Sequence, residues 1–390
     1  MFAERTNWDT RPNRLSALLE ERRRRGLPML DLTASNPTQC GFDFDQNALL
    51  AALADPAVLR YEPDPRGLAS VRRAVADYYA GQGVSVNPDH VLLTTGTSEG
   101  YSFLFRLLAG PGDEVLSALP SYPLFDLLAD VNDVKLRPYS LHYGDGWRID
   151  LEHLAGAITP RTRAIVVVTP NNPTGSLLQR GELEALVTLA RDHNLAIIAD
   201  EVFSDYLWQP GAHATGSVAA VDGCLTFTLN GLSKIAALPQ MKLAWIVASG
   251  PHDLRAEALA RLEVIADTYL SVSTPVQLAA PKLLAKRDAV QRQILRRVEA
   301  NLNRLDARLA RATPCSRLRA EGGWYAVLRV PNTRSDEDWA LALLDRGVYL
   351  HPGHFFGFAA DGYLVLSLIT PEPQFTEGVE RIVETVSAGA

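Results

Sequence analysis

The chain has 390 residues, 47% hydrophobic and 21% charged, with a formal net charge of −7. That length predicts two domains rather than one core, and the composition is that of a globular protein. The acidic balance argues against nucleic acid as the main partner, because phosphate binding favours a basic surface.

Cys40, Cys224 and Cys315 are widely spaced, form no metal pattern and suit a reducing compartment. The opening MFAERTNWDTRPNR lacks the apolar centre of a secretory signal. No run approaches the ~18 apolar residues of a membrane helix. A cytoplasmic protein without membrane partners is expected.

In chain order, the pattern predicts an amphipathic helix over Arg14 to Arg25, ending in a charge run closed by Gly26, and a short strand near Met29 to Leu32. The turn-rich Ser35-Asn36-Pro37-Thr38 precedes a helix around Gln46 to Ala54. Tyr61 to Gly67 is extended, since Pro63 and Pro65 forbid helix, and Leu68 to Tyr79 returns to helical spacing.

From Asn87 onward strands alternate with helices, which predicts parallel βαβ units. The strand candidates are His90 to Thr94, Glu114 to Ala118, Val134 to Tyr139, Arg163 to Val168, Leu195 to Ala199, Leu225 to Leu229 and Leu243 to Ala248. Runs such as Ala164-Ile165-Val166-Val167-Val168 are apolar on both faces, so the sheet is expected between helical layers. A long helical stretch, Val276 to Ala312, reads as a connector. Beyond it come a strand over Leu318 to Val330, a helix over Ser335 to Arg346, turns from Val348 to Phe358, a strand over Tyr363 to Leu368 and a helix from Glu372. The expected division is an N-terminal arm with part of the small domain (1–45), a large domain (46–275), and the connector with a small α+β domain (276–390).

Four strand ends of the large domain carry residues suited to one ligand. Thr95-Gly96-Thr97-Ser98 offers hydroxyls and free amides at a helix start, which suits an anion, most naturally phosphate. Thr169-Pro170-Asn171-Asn172-Pro173-Thr174-Gly175 presents a side-chain amide on a stiff turn. Asp200-Glu201 ends an apolar strand, where a carboxylate is costly without a partner and implies a cation or a metal. Ser233-Lys234, with Lys242 further on, places an amine and further anion ligands beside the others. The matching ligand carries a phosphate, a hydrogen-bonding oxygen, a basic nitrogen facing Asp200 and a carbonyl that condenses with Lys234. Pyridoxal 5'-phosphate has all four.

The same residues support other readings. Gly96-x-Ser98-x-Gly100 between strand and helix fits the nucleophile elbow of an α/β-hydrolase, with Asp200 and His351 or His354 following in hydrolase order. Each loop also has a plain structural reading: a helix cap at Thr95 or Thr97, a turn asparagine, a salt bridge at Asp200 and solvated lysines.

Asn171-Asn172-Pro173-Thr174-Gly175, Asp200-Glu201-Val202 and Ser233-Lys234, in this order, resemble a divergent fold-type I pyridoxal-phosphate enzyme of the class I/II aminotransferase family, over about Ser35 to Leu368. The resemblance implies a large domain with a mostly parallel seven-stranded sheet between helices, plus a smaller α+β domain. It makes Lys234 the Schiff-base lysine and proton shuttle, Asp200 the partner of the pyridine nitrogen and Tyr122 the aromatic stacked on the ring. It also assigns Asn172 to the ring hydroxyl, Thr95, Gly96, Thr97 and Ser233 to the phosphate, and Tyr61 to the phosphate of a neighbouring subunit. A homodimer with shared active sites follows, transferring amino groups between an amino compound and a 2-oxo acid by ping-pong exchange. A lyase, a decarboxylase, a racemase or a non-catalytic binding protein are the alternatives around the same cofactor.

Three positions depart from the family. Phe203 stands where a tyrosine donates to the ring oxygen, which predicts a higher Schiff-base pKa. Lys242 replaces the phosphate-binding arginine, so a point charge replaces a planar fork. Val365, in Tyr363-Leu364-Val365-Leu366-Ser367, stands where an arginine holds the substrate carboxylate. A slipped register, another cation such as Arg66, or a substrate other than a simple α-amino acid each accommodates this. Gly322-Gly323-Trp324-Tyr325 and Pro352-Gly353-His354-Phe355-Phe356 are expected at the entrance or in packing.

Overall fold

The computed structural model describes residues 1–270 and 272–389. Among them, eight strands form the large sheet: β1 (Val91–Thr94), β2 (Glu114–Leu119), β3 (Lys135–Tyr143), β4 (Trp147–Ile149), β5 (Thr162–Val168), β6 (Ala196–Asp200), β7 (Thr226–Gly231) and β8 (Ala244–Ser249). Their order is β1-β8-β7-β6-β5-β2-β3-β4. All pairs from β7 through β6, β5 and β2 to β3 are parallel, while β8 is antiparallel to both its neighbours and β4 to β3. β6, β7 and β8 are buried throughout, as strands covered on both faces must be.

Every expected strand of the large domain forms, and β4 makes an eighth. It pairs Tyr143 with Trp147 and Leu141 with Ile149, and it is too short for alternation to register in the sequence. A helix over His252–Tyr269, absent from the sequence reading, packs Ala258, Leu259, Leu262 and Ala266 on the sheet. Half of the buried positions on its inner face are alanine, so its apolar stripe is faint.

The expected continuous connector is two helices, Thr274–Ala285 and Arg287–Leu309. The first buries Ala279, Ala280, Leu283 and Leu284 against Val91, Trp245 and other residues of the large sheet. The second buries Val290, Ile294, Val298 and Leu302 in the core of the small sheet. The break at Lys286 is where the chain changes cores, and two cores need two helical faces.

The small sheet is antiparallel, in the order Ser316–Arg317, Tyr325–Arg329, Tyr363–Ser367, His351–Pro352. The expected strand over Leu318 to Val330 is interrupted by a loop, Leu318 to Trp324, that packs on the 169–175 turn. Gly175, at φ +66°, needs that close approach, since a Cβ there would lie 2.5 Å from Gly322 O. Leu30–Asp31 pairs in parallel with Val348–Tyr349, and Leu15, Leu19 and Leu32 join the small-sheet core. No helix among the described residues is long and apolar enough to cross a membrane.

Candidate active site

The C-terminal ends of β5, β6 and β7 lie side by side, with Val168 paired to Asp200 and Asp200 to Leu229. A strand end presents side chains beyond the sheet, where a helix start or loop can meet them. The cavity there, about 180 Å³, is lined by Thr97, Ser98, Tyr122, Asn172, Asp200, Ser233 and Lys234 from the large domain, and by Ser35 and Tyr325 from the small-sheet side. The three loops after β5, β6 and β7 thus converge as the sequence implies.

Lys234 lies on a one-turn helix, Leu232–Ile235, that begins at Gly231. A Cβ at Gly231 would sit 2.7 Å from Ala244 Cβ, so only glycine lets β7 turn this close to β8. The lysine Nζ is 5.0 Å from the centre of the Trp324 ring and 5.5 Å from that of Phe203. Burial lowers its pKa to about 8, with the charge of Asp200 pulling the other way.

Asp200 accepts from Tyr101 Oη at 3.1 Å and from the Val202 N–H at 3.1 Å. Burial pushes its carboxyl up to about 6, against the pull of those two donors and of Lys234. Tyr101 was missed in the sequence. Its signal was only helical: it sits on Thr97–Leu108, on the face buried against the sheet.

Asn171 ties the turn together by donating to Pro120 O at 3.1 Å and Thr174 Oγ1 at 2.8 Å. The Asn172 Oδ1 is buried with no hydrogen-bond partner, although its side chain lines the cavity. Lys242 is exposed and in no ion pair among the described residues. A Cβ placed on Gly96 would be 3.6 Å from its Nζ, so the ammonium stands beside the 95–97 loop. The Thr95 N–H is engaged by Glu99 Oε2 at 2.6 Å.

Tyr122 is 43% exposed at the mouth, with its ring 6.1 Å edge-on from Phe125. Tyr61 is 69% exposed and does not line this cavity. Arg66 Nε is bonded to Glu263 at 2.7 Å, also outside the cavity.

The hydrolase constellation does not assemble. Ser98 lines the cavity, but neither His351 nor His354 does. His354 instead bonds Asp336 through Nδ1 at 3.0 Å, and Asp200 takes its hydrogen bonds from Tyr101 and Val202.

Phe203 is buried in edge contact with Trp324 and Tyr325, at 5.3 and 6.4 Å. Val365 is paired with Val327 and His351 and buried with Trp147, Leu318, Val327, Phe356 and Phe358. Tyr325 packs against that apolar group, and burial raises the pKa of its phenol. Ser35 also lines the cavity, a role its place in a turn-rich stretch does not announce.

The family described as aminotransferase class I and II matches residues 28–382. The chain is 32% identical to the glutamate–pyruvate aminotransferase AlaA of Escherichia coli K12 over 253 residues, 65% of this chain and 62% of that protein. It therefore aligns with less than two thirds of that relative. Against the aspartate/prephenate aminotransferase of Thermus thermophilus it is 32% identical over 94% of this chain and 93% of that protein. Among solved structures, alanine aminotransferase from Pyrococcus furiosus superposes with a TM-score of 0.88 at 24% identity, covering all of both chains, which shows the shared fold. The chain belongs to the class I and II aminotransferase family.

Proposed function

We propose that the protein is a pyridoxal 5'-phosphate-dependent aminotransferase, exchanging an amino group between an amino compound and a 2-oxo acid by a ping-pong route. The observation that carries this is the convergence of Lys234, Asp200 and Asn172 on one cavity at three neighbouring strand ends. The names of the relatives, glutamate–pyruvate and aspartate/prephenate aminotransferase, support amino acids and 2-oxo acids as the substrate classes.

The residues fit the cofactor. Asn172 has a buried amide oxygen without a partner, so a ligand group that donates a hydrogen bond to it removes a standing cost. Asp200, held by Tyr101 and Val202, is a carboxylate suited to a basic ring nitrogen. Ser233, the Thr95 and Thr97 hydroxyls and the amides of Gly96 and Thr97 form the candidate phosphate seat, with Lys242 as its point charge. Tyr122 supplies the stacking face.

When bound, the cofactor draws electrons from the amine-bearing carbon of the substrate, so the proton there becomes removable. Lys234 is the group that removes and returns it. Burial lowers its pKa to about 8, which enlarges the neutral share of the amine able to take up a proton. The Trp324 and Phe203 rings shield the amine from water and present π faces to its protonated form.

Exposed Tyr61, which does not line its own chain's cavity, supports a homodimer in which it completes the partner's site. The buried, unpaired Cys40, Cys224 and Cys315 support a cytoplasmic location. The two sheets, each with its own core, support the division into a large and a small domain.

The test is spectroscopic and chemical. Protein reconstituted with the cofactor absorbs near the visible edge, Lys234→Ala loses the band, and an amino donor screen with pyruvate and 2-oxoglutarate yields the new amino acid. A colourless wild type overturns the proposal. Release of ammonia or carbon dioxide in place of transfer shifts it to a lyase or decarboxylase.

A further inference from the structure

The backbone of Lys234 is gripped by two side chains. Tyr206 Oη donates to Lys234 O at 2.6 Å. That carbonyl already accepts from the Ala237 N–H at 3.0 Å, so the phenol is not needed to satisfy it. The next carbonyl, Ile235 O, accepts from Gln291 Nε2 at 2.7 Å.

The same Gln291 nitrogen donates to Asp205 Oδ2 at 2.6 Å. Asp205 precedes Tyr206, and its other oxygen accepts from Tyr78 Oη at 3.1 Å and Gln82 Nε2 at 3.0 Å. Tyr206 is itself fixed, since its O accepts from the Gly323 N–H at 2.8 Å and its ring meets Trp324 edge-on at 5.0 Å. One amide therefore clasps the segment after Asp200 to the segment that carries Lys234.

Gln291 comes from the helix Arg287–Leu309, just past the break at Lys286. The following turns of that helix, through Ile294, Val298 and Leu302, are buried in the small-sheet core. The clasp thus joins the lysine's backbone to the element that seats the small domain.

A lysine side chain has four rotatable bonds, and its amine reaches a given point only from a narrow range of Cα positions. Misplacement by about 1 Å can cost on the order of a hundredfold in rate. We propose that Gln291 and Tyr206 are positioning residues for Lys234, and that through Gln291 the lysine's placement depends on how the small domain is seated. This rests on Lys234 being the lysine that holds the cofactor.

The test uses holoenzyme of Gln291→Met, Tyr206→Phe and the double variant. Tyr206→Phe keeps the ring against Trp324 and removes only the O–H. The expected result is kcat lowered about tenfold with KM within about twofold, because ground-state binding is untouched. The pH midpoint of the cofactor's absorbance is also expected to move by about half a unit, and the double variant to fall short of the product of the single effects.

A lowered Tm with unchanged kcat and unchanged midpoint in both single variants overturns the proposal, as it would show a purely structural role. If Gln291→Met does not fold, Tyr206→Phe decides by the same two readouts. A wild type without the absorbance band strikes at the role of Lys234 instead, so the two failures are distinguishable.

Discussion

On the large-sheet side of the cavity each charged group has a defined setting: Asp200 under Tyr101 and Val202, Lys234 between two aromatic rings, Lys242 beside the 95–97 loop. On the small-sheet side the wall behind Tyr325 is Val365 among Trp147, Leu318, Val327, Phe356 and Phe358. The first side is fixed by chemistry, because few residue types condense with an aldehyde or partner a ring nitrogen. The second is fixed by packing, which many residue sets satisfy. The proposed reaction rests on the first side, while the second is a packed apolar wall.

The comparison breaks most sharply at Asp200. In Asp200→Asn the side chain keeps its shape and loses its charge, and transamination is expected to fall by about a hundredfold or more, since a developing charge loses its fixed partner. The same variant has a cofactor-free signature in thermal melts. Asp200 is raised from 3.8 to about 6 in the folded protein, so its contribution to stability is full below pH 3.8 and is lost as pH rises through 6. The variant should therefore show a flatter Tm between pH 4 and 6 than wild type. Glu201, raised by burial to about 7, keeps part of the slope in both. An unaltered rate would show that the acid does not serve the ring.

This asymmetry also explains what the sequence could tell. Lys234, Asp200 and Asn172 were legible as candidates because Asp200 ends an apolar run and the other two closely follow one, and strand ends of parallel sheets collect ligands. Tyr101 was hidden on a helix whose buried face also holds Phe103 and Phe105, so its hydroxyl carried no positional signal. Ser35 lies far along the chain from Tyr325, and no local pattern announces that both line one cavity. β4, three residues long, and the alanine-rich helix His252–Tyr269 failed for a lack of periodic contrast rather than for misleading residues.

The next effect is on stability. Val365→Arg places a guanidinium among buried apolar side chains, with Val365 itself only 1% exposed. The expected loss is about 3 kcal/mol, read as a lower urea midpoint at constant m. If the variant is instead as stable as wild type and binds 2-oxo acids more tightly, then the wall is an open substrate surface and the contrast between the two sides fails.

The smallest effect probes the place where the two sides meet. Phe203 follows Asp200 on the large-sheet side, yet its ring packs on Trp324 and Tyr325 of the other, 5.5 Å from the lysine amine. Phe203→Tyr adds one donor at the ring's far end. A hydrogen bond that favours the anionic form of a neighbouring oxygen stabilises the deprotonated state of the group conjugated to it. The pH midpoint of the holoenzyme's absorbance is then expected to fall by about one unit, with folding little changed. A midpoint that stays in place would mean that the new hydroxyl faces the small-sheet wall, and that Phe203 belongs to packing rather than to the chemistry of the floor.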